Sequence, residues 1–478
     1  MYFPIVLIVR EKKREKMQIK PFKAFRFNPA VVGDVGNCIA PPYDVISEDA
    51  RFQLLEKSKY NIVRVIKSTP GPMPVIQKEE QYNGNSDSES EVQITQKPKE
   101  AKEVDQYTRA AGYLAQWIDQ GALKQDDEEA IYAYVQEFKI GTETFQRHSF
   151  IALGKLEEFG KVVKPHEQIL AKPIVDRYNL KKATLADLGL VFLLYEDEKQ
   201  VAENIIEKSA QDAPLIDFTD EMDVRHQLFG ISDKDELARI TSMMKDKSCV
   251  IADGHHRYTT GLKFAKDSNL PAAKYQMLAF ANTSQEGLII LATHRVVQNL
   301  ANFNLQKLLE GLKKRFEITE YKFDKPQDKM KAKQKMLEQM KAEVSSEKCA
   351  FGIYGGNNTF YVAVLTDTDA INKAAADMSP AWRTLDLAIL HKLILEELLD
   401  IDQERLSKGE NLQYVKDTPN AIDDTIIDVE SGERQVAFFT NAVTIKQLHM
   451  VTDAGERMPQ KATYFFPKLY SGLTIHKL

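Results

Sequence analysis

The sequence predicts a mixed α/β (α+β) chain, and three observations carry that prediction. SCVIADGHHRYTTGLKFAKDS reads as a strand-loop-helix unit, two other segments read as antiparallel hairpins, and stripes of helical period alternate with short β-branched runs. At 478 residues the chain exceeds one ordinary domain of about 150, so two or three are expected. A hydrophobic content of 43% with 28% charged residues fits a globular protein and excludes a fibrous or wholly disordered one.

The elements follow in order. Met17 opens MQIKPFKAFRFNP, so residues 1–16 read as an N-terminal extension. CIAPPYDVI reads as a strand ending in a Pro-Pro corner, since neither proline donates to a ladder and each fixes an extended backbone. Ser47 caps a helix over 48–57, and NIVRVIKS, 61–68, reads as a strand. About 69–103 is polar and rich in Pro, Gly and Ser, hence a disordered loop. Tyr107, Ala110, Ala111, Leu114 and Ile118 give a helix over 104–119 that stops at Gly121. A hairpin follows over 130–159, then a polar segment with His166 and Glu167, a helix, and a buried strand at 189–195. Helices are expected at 199–209 and near 233–245, with strand or loop at 214–225 between them. After the 248–268 unit come strands at 274–281 and 287–291 and helices at 304–315 and 326–345. CAFGIYGGNNTFYVAVL is a second hairpin and 384–399 an apolar helix, after which strands and short helices alternate. The implied division is 17–300 and a C-terminal α+β region over 301–478.

Composition narrows the function classes. A net charge of −6 supplies no global field for nucleic acid. Cys38, Cys249 and Cys349 lie far apart without CxxC spacing, which fits reduced core thiols in a cytoplasmic protein rather than disulfides or a thiolate metal site. The apolar run at the N-terminus is about eight residues and precedes its basic residues, whereas a span needs roughly twenty and a signal peptide puts its charge first. No membrane association is expected.

ADGHHRY concentrates the candidate chemistry. Gly254, His255, His256 and Arg257 stand where a strand ends and a helix begins, and backbone N–H groups with the helix dipole favour an anion there. Arg257 could grip phosphate oxygens, His255 or His256 could donate to a phosphate or move a proton, and Asp253 could hold Mg²⁺. The plain alternative is a satisfied turn with a surface ion pair. Neighbouring helical residues point about 100° apart, which argues against both histidines holding one zinc. In KPHEQILAKPIVDR, which groups His166, Glu167, Asp176 and Arg177, Glu167 could act as a general base, while Asp176-Arg177 reads more often as a helix-face ion pair. APPYDVI offers Tyr43 and Asp44 on a rigid corner, as a preorganised carboxylate or a capped strand end. ATHR adds His294 and Arg295 as a second basic pair. GERMPQKATYFFPKL carries Arg457, Lys461 and aromatics, which read as a tail pinned by aromatic burial. No Gx4GK[ST] loop, GxSxG elbow or paired GxGxxG occurs, which removes the common NTPases, α/β-hydrolases and Rossmann dehydrogenases.

KPFKAFRF, CIAPPYDVI, KPHEQIL, ADGHHRYTTGLKFA, ATHR and MPQKATYFFPKLYSGL together resemble a bacterial and archaeal family known only as a domain of unknown function, from about residue 18 onward. The DGHHR stretch is also similar to the motif of the ParB/sulfiredoxin-like superfamily, which includes ParB CTPases, sulfiredoxins and a free-serine kinase. That second resemblance covers about fifty residues. It implies a ParB/sulfiredoxin-like central unit with large insertions, and a nucleotide phosphate site at Asp253, Gly254, His255, His256 and Arg257. No Cys stands among 253–257, which departs from the sulfiredoxins, and no helix-turn-helix accompanies it as in ParB. The kinase's catalytic Glu has no matching position, so Glu167 and Asp44 are candidate bases on chemistry alone.

The expectation is therefore a nucleotide-binding phosphotransferase that uses ADP or ATP with Mg²⁺ on a small hydroxyl-bearing metabolite. His256, with Glu167 or Asp44, would be catalytic; Gly254, His255, His256, Arg257, His294 and Arg295 would hold phosphate, and Asp253 the metal. A nucleotide-responsive binding protein without turnover, and a scaffold without a nucleotide site, remain the alternatives.

Overall fold

The computed structural model describes residues 17–74, 102–168 and 171–478. The expected extension 1–16 and most of the expected disordered loop lie outside the described residues. The loop's flanks, Gly71–Pro72 and Glu103–Val104, pair as a short antiparallel ladder.

Two sheets organise the described residues into a mixed α/β fold. The larger has nine strands, and its path runs through Ile216–Thr219, Arg225–Ile231, Ile131–Ile140, Glu143–Lys155, Tyr275–Asn282, Val191–Tyr195, Cys249–Asp253 and Val163–Lys164. Ile19–Lys20 joins beside Glu143–Lys155. Pairing is parallel between Val191–Tyr195 and Tyr275–Asn282, and between Cys249–Asp253 and Val163–Lys164. The continuous apolar run VFLLY is buried at every position of its strand, as suits a strand covered on both faces. The smaller sheet is antiparallel, in the order Phe316–Lys322, Thr359–Leu365, Ala350–Tyr354, Val436–Phe439, Thr293–Val297, Leu412–Lys416.

Local chemistry sets most boundaries. Ser47 accepts the Ala50 N–H at 3.1 Å and starts helix Glu48–Lys57. Asp105 accepts from Tyr107 and Thr108 at 2.8 and 2.9 Å and starts Gln106–Asp119. That helix drives Leu114 and Trp117 into the core, with Trp117 set among Phe27, Tyr60 and Tyr113. Full burial of one such side chain contributes roughly 1.5–3 kcal/mol. The hairpin closes between Ile140 and Glu143, where Gly141 takes φ +60.

Four expectations are corrected. NIVRVIKS forms a helical turn at Val63–Ile66, not a strand. Buried Asn61 holds the Asn37 and Ile39 carbonyls through its amide and accepts the Val63 N–H, which overrides the β propensity of the run. CIAPPYDVI supplies one bridge, Ala40 to Ser471, in place of a strand. The strands Arg225–Ile231, Thr293–Val297 and Phe316–Lys322 were not anticipated; the last alternates short apolar and charged residues at a sheet edge. The 384–399 helix begins at Asp386 and widens to π geometry over Leu390–Glu396.

The two regions also interlock. Thr293–Val297, before residue 301, belongs to the smaller sheet, while the tail returns to the larger region. Tyr464–Phe466 pairs with Ile289–Leu291, His476–Lys477 with Ala186–Asp187, and Ile475 bridges Phe25. No helix among the described residues is long and apolar enough to cross a membrane.

Candidate functional site

The site is built on the junction between strand Cys249–Asp253 and helix His255–Asp267. Gly254 turns the chain with φ +90, and a Cβ there would stand 3.1 Å from Arg257 Nε and 3.2 Å from Val191 Cα. Glycine is required at that conformation and that approach. Gly254 gives no side-chain cap, so the positive end of a 13-residue helix is left to other groups.

Asp253 is the electrostatic centre. Its Oδ1 accepts the Gly254 N–H at 2.8 Å, and its Oδ2 receives Lys468 Nζ at 3.1 Å with Arg257 Nη2 at 3.8 Å. Burial pushes the Asp253 carboxyl up, but Lys468 and then Arg257 outweigh it and hold the group well below the usual carboxylate range. Arg257 itself is only 11% exposed and donates Nη1 to the Leu190 carbonyl. It therefore braces the strand crossing and neutralises Asp253, rather than presenting an open fork as the sequence suggested.

The histidines divide their roles. His255 is buried; its Nε2 accepts the His166 N–H at 3.3 Å, which leaves the hydrogen on Nδ1, 4.0 Å from Glu167 Oε2. Burial and His166 push it well below the ordinary histidine value, so it stays neutral. His166 was grouped with Glu167 in the sequence, and it is a stitch: Nδ1 donates to the Ile251 carbonyl at 2.5 Å and Nε2 accepts the Thr463 hydroxyl at 2.8 Å. His256 is half-buried. Burial lowers its pKa while Glu167 and Asp44 pull it back, so both carboxylates act on it. Asp44 is exposed on its proline corner, and Glu167 Oε1 accepts the Lys461 N–H at 3.3 Å. Arg177 pairs with Asp176 along its helix and lies 4.0 Å over the Tyr43 ring.

Two cations that sequence reasoning missed stand in the same place. Lys416 and Lys468 sit 4.5 and 4.6 Å from the Tyr464 ring centre. Burial, then Lys468 and Lys461, push Lys416 below the ordinary lysine value, against the pull of Asp44 and Asp253. Burial, Asp253 and Asp44 push the Tyr464 hydroxyl up to about 12. Arg257, Lys416, Lys461 and Lys468 thus share one neighbourhood with Asp44, Asp253, Glu167 and His256.

His294 and Arg295 do not present themselves to it as expected. His294 is 2% exposed; its Nδ1 accepts the Thr440 N–H at 3.2 Å, and Nε2 faces Asp417 at 3.4 Å. Arg295 is fully buried and donates to main-chain carbonyls, including Gln460 and Lys461 at 2.9 and 3.3 Å. Asp253 also fits Mg²⁺ poorly, because both oxygens are committed and two cations already flank it. Among the described residues no group of three or more His, Cys, Asp or Glu could hold an ion. On the other side of Arg257 lies a narrow cavity of about 60 Å³ bordered by Tyr43, Arg177, Gly189 and Gln276. Gln276 Oε1 is buried there without a hydrogen-bond partner among the described residues.

The chain belongs to a family described as protein of unknown function (DUF1015), whose model matches residues 19–84 and 72–388. Comparison with curated proteins finds no match. Solved structures similar to it include free serine kinase in complex with AMP, at 14% identity, covering 65% of this chain and 92% of that one with a TM-score of 0.32. A conserved hypothetical protein from Pyrococcus furiosus is 16% identical over 68% and 97% of the two chains, with a TM-score of 0.30. C-terminally truncated SbnI from Staphylococcus aureus is 9% identical over 67% and 84%, at 0.31.

Proposed function

We propose that the chain binds the phosphates of a purine nucleotide, ADP or ATP, at the start of helix His255–Asp267 and transfers a phosphoryl group to a small hydroxyl-bearing metabolite. The observation that carries this reading is the gathering of Arg257, Lys416, Lys461 and Lys468 around a helix N-terminus whose N-cap is a glycine. A polyanion is the ligand that such a group of cations favours. Catalysis of phosphoryl transfer is mostly positioning and charge neutralisation, and these side chains supply both.

In the transfer, the acceptor hydroxyl oxygen bonds to the terminal phosphorus while the bridging P–O bond to the nucleotide breaks. The hydroxyl proton passes to Glu167 or Asp44, and the lysines neutralise charge on the departing phosphate. His256, neutral at pH 7 because burial lowers its pKa, can hold a phosphoryl or acceptor oxygen. Mg²⁺ would arrive with the nucleotide, since it commonly binds through phosphate oxygens and water.

The test is calorimetric titration of ADP and ATP, with and without Mg²⁺, followed by ³¹P NMR of the protein with nucleotide and a panel of small alcohols. Saturable binding with a phosphorylated product supports the proposal. Binding without turnover favours a nucleotide-responsive binding protein, and no binding of either nucleotide overturns the reading.

A further inference from the structure

Two fully buried arginines form no salt bridge to a carboxylate among the described residues. Arg147 stands on strand Glu143–Lys155 of the larger sheet, and Arg295 on Thr293–Val297 of the smaller. Isolated charge in a protein interior is costly unless its donors are met. Arg147 donates to the Phe466 carbonyl at 3.2 Å, to the Pro467 carbonyl at 2.5 Å and to Gln136 Oε1. Gln136 in turn donates to the Lys468 carbonyl at 3.0 Å. Arg295 holds the carbonyls of Gln460 and Lys461. The two guanidiniums therefore grip opposite ends of one short segment, Gln460–Lys468. That segment carries Lys461, whose N–H meets Glu167, and Lys468, whose ammonium meets Asp253.

We infer that Arg147 and Arg295 are positioning residues: they clamp the Gln460–Lys468 segment from the two sheets and so fix Lys461 and Lys468 against the start of helix His255–Asp267. Most of their partners are main-chain carbonyls, so the clamp holds backbone and leaves the Lys468 ammonium to meet Asp253. Burial lowers both guanidiniums to about 10, which still leaves them charged near neutral pH. The role of the lysines toward phosphate rests on the proposed function; the clamp itself does not.

Arg147→Lys and Arg295→Lys test it in the full chain, each keeping the charge and losing the planar fork. Hydrogen exchange at the backbone amides of 460–470 is read first, with the wild type as reference. We expect exchange there to rise about tenfold or more while helix His255–Asp267 keeps its protection. ADP affinity is read second. Arg147→Lys should weaken it as much as Lys468→Met does, and the double variant should be no weaker than the worse single one, as for residues acting through one contact. A folded Arg147→Lys with unchanged exchange at 460–470 overturns the clamp. Additive losses of ADP affinity overturn the route through Lys468. A wild type that ignores ADP removes the phosphate reading and leaves the exchange data to decide the clamp. Should the arginine variants not fold, Gln136→Leu removes the hold on the Lys468 carbonyl and is judged by the same exchange readout.

Discussion

Lys468→Met isolates the contact on which the site turns. The ammonium lies 3.1 Å from Asp253 Oδ2, and the two side chains are 15% and 20% exposed. Breaking one partner of a buried pair costs about 3–5 kcal/mol. Here Arg257 remains 3.8 Å from the same oxygen and some solvent reaches the pair, so a loss of roughly 1–3 kcal/mol is expected. For a unit of this size that corresponds to a fall of about 2–10 °C in melting temperature. The pH dependence supplies a sharper check. Asp253 is held below its unfolded value, so its contribution is fully present above about pH 4 and disappears as pH falls through the folded pKa. Scanning calorimetry of wild type and variant from pH 8 to pH 2 should show a constant gap down to about pH 4 that closes below it. A gap that is absent at pH 7, or that stays constant at pH 2, refutes the assigned pairing.

Other outcomes follow from the same geometry. Gly254→Ala should lower stability by about 1–2 kcal/mol, since a Cβ at φ +90 meets Arg257 and Val191, and should also weaken ADP binding in calorimetric titration. His256→Ala should abolish phosphoryl transfer in the ³¹P assay, and Arg257→Ala should lower both transfer and melting temperature, because Arg257 ties the Leu190 carbonyl. ADP affinity should fall steeply between low and moderate salt, with a smaller slope in Lys461→Gln, as screening of an exposed cation requires. Asp386, buried beside Cys349 and Asn441, is pushed up to about 7 by burial. Its ionisation opposes folding as pH rises from about 4 through 7, so Asp386→Asn should gain stability over wild type at pH 8 and lose that advantage progressively as pH falls to about 4, read from thermal unfolding.

What could be read in the sequence was local. Ser47 announces its helix in four residues, and the Gly-containing turns announce both hairpins, because caps and turns are short-range chemistry. ADGHHRY likewise exposes a strand end, a glycine turn and a helix start within seven letters. The residues that complete the site were hidden for a different reason. Lys468 meets Asp253 across 215 positions, and nothing in PKLY distinguishes it from an ordinary surface lysine. Lys416 ends a strand that only the smaller sheet brings alongside. Arg295 misleads in the opposite direction: arginine is seldom fully buried, so THR suggests a ligand-facing cation, and nothing in RHS marks Arg147 at all. Their burial is decided by carbonyls of a segment more than 160 positions away. NIVRVIKS failed as a strand because one buried amide, Asn61, outweighed the propensity of the whole run.

The return of Met458–Leu478 across both sheets bears on the order in which the chain acquires its shape. The glycine turn and helix at 254–267 can form from neighbouring residues, but their cations join only after contacts spanning nearly half the chain close. Such non-local closure is slow compared with local helix formation. During synthesis, a chain that has not yet reached residue 458 carries Asp253 and the helix start without Lys461 or Lys468. It would hold a buried carboxylate short of its main partner, and binding competence would arrive with the last segment to dock.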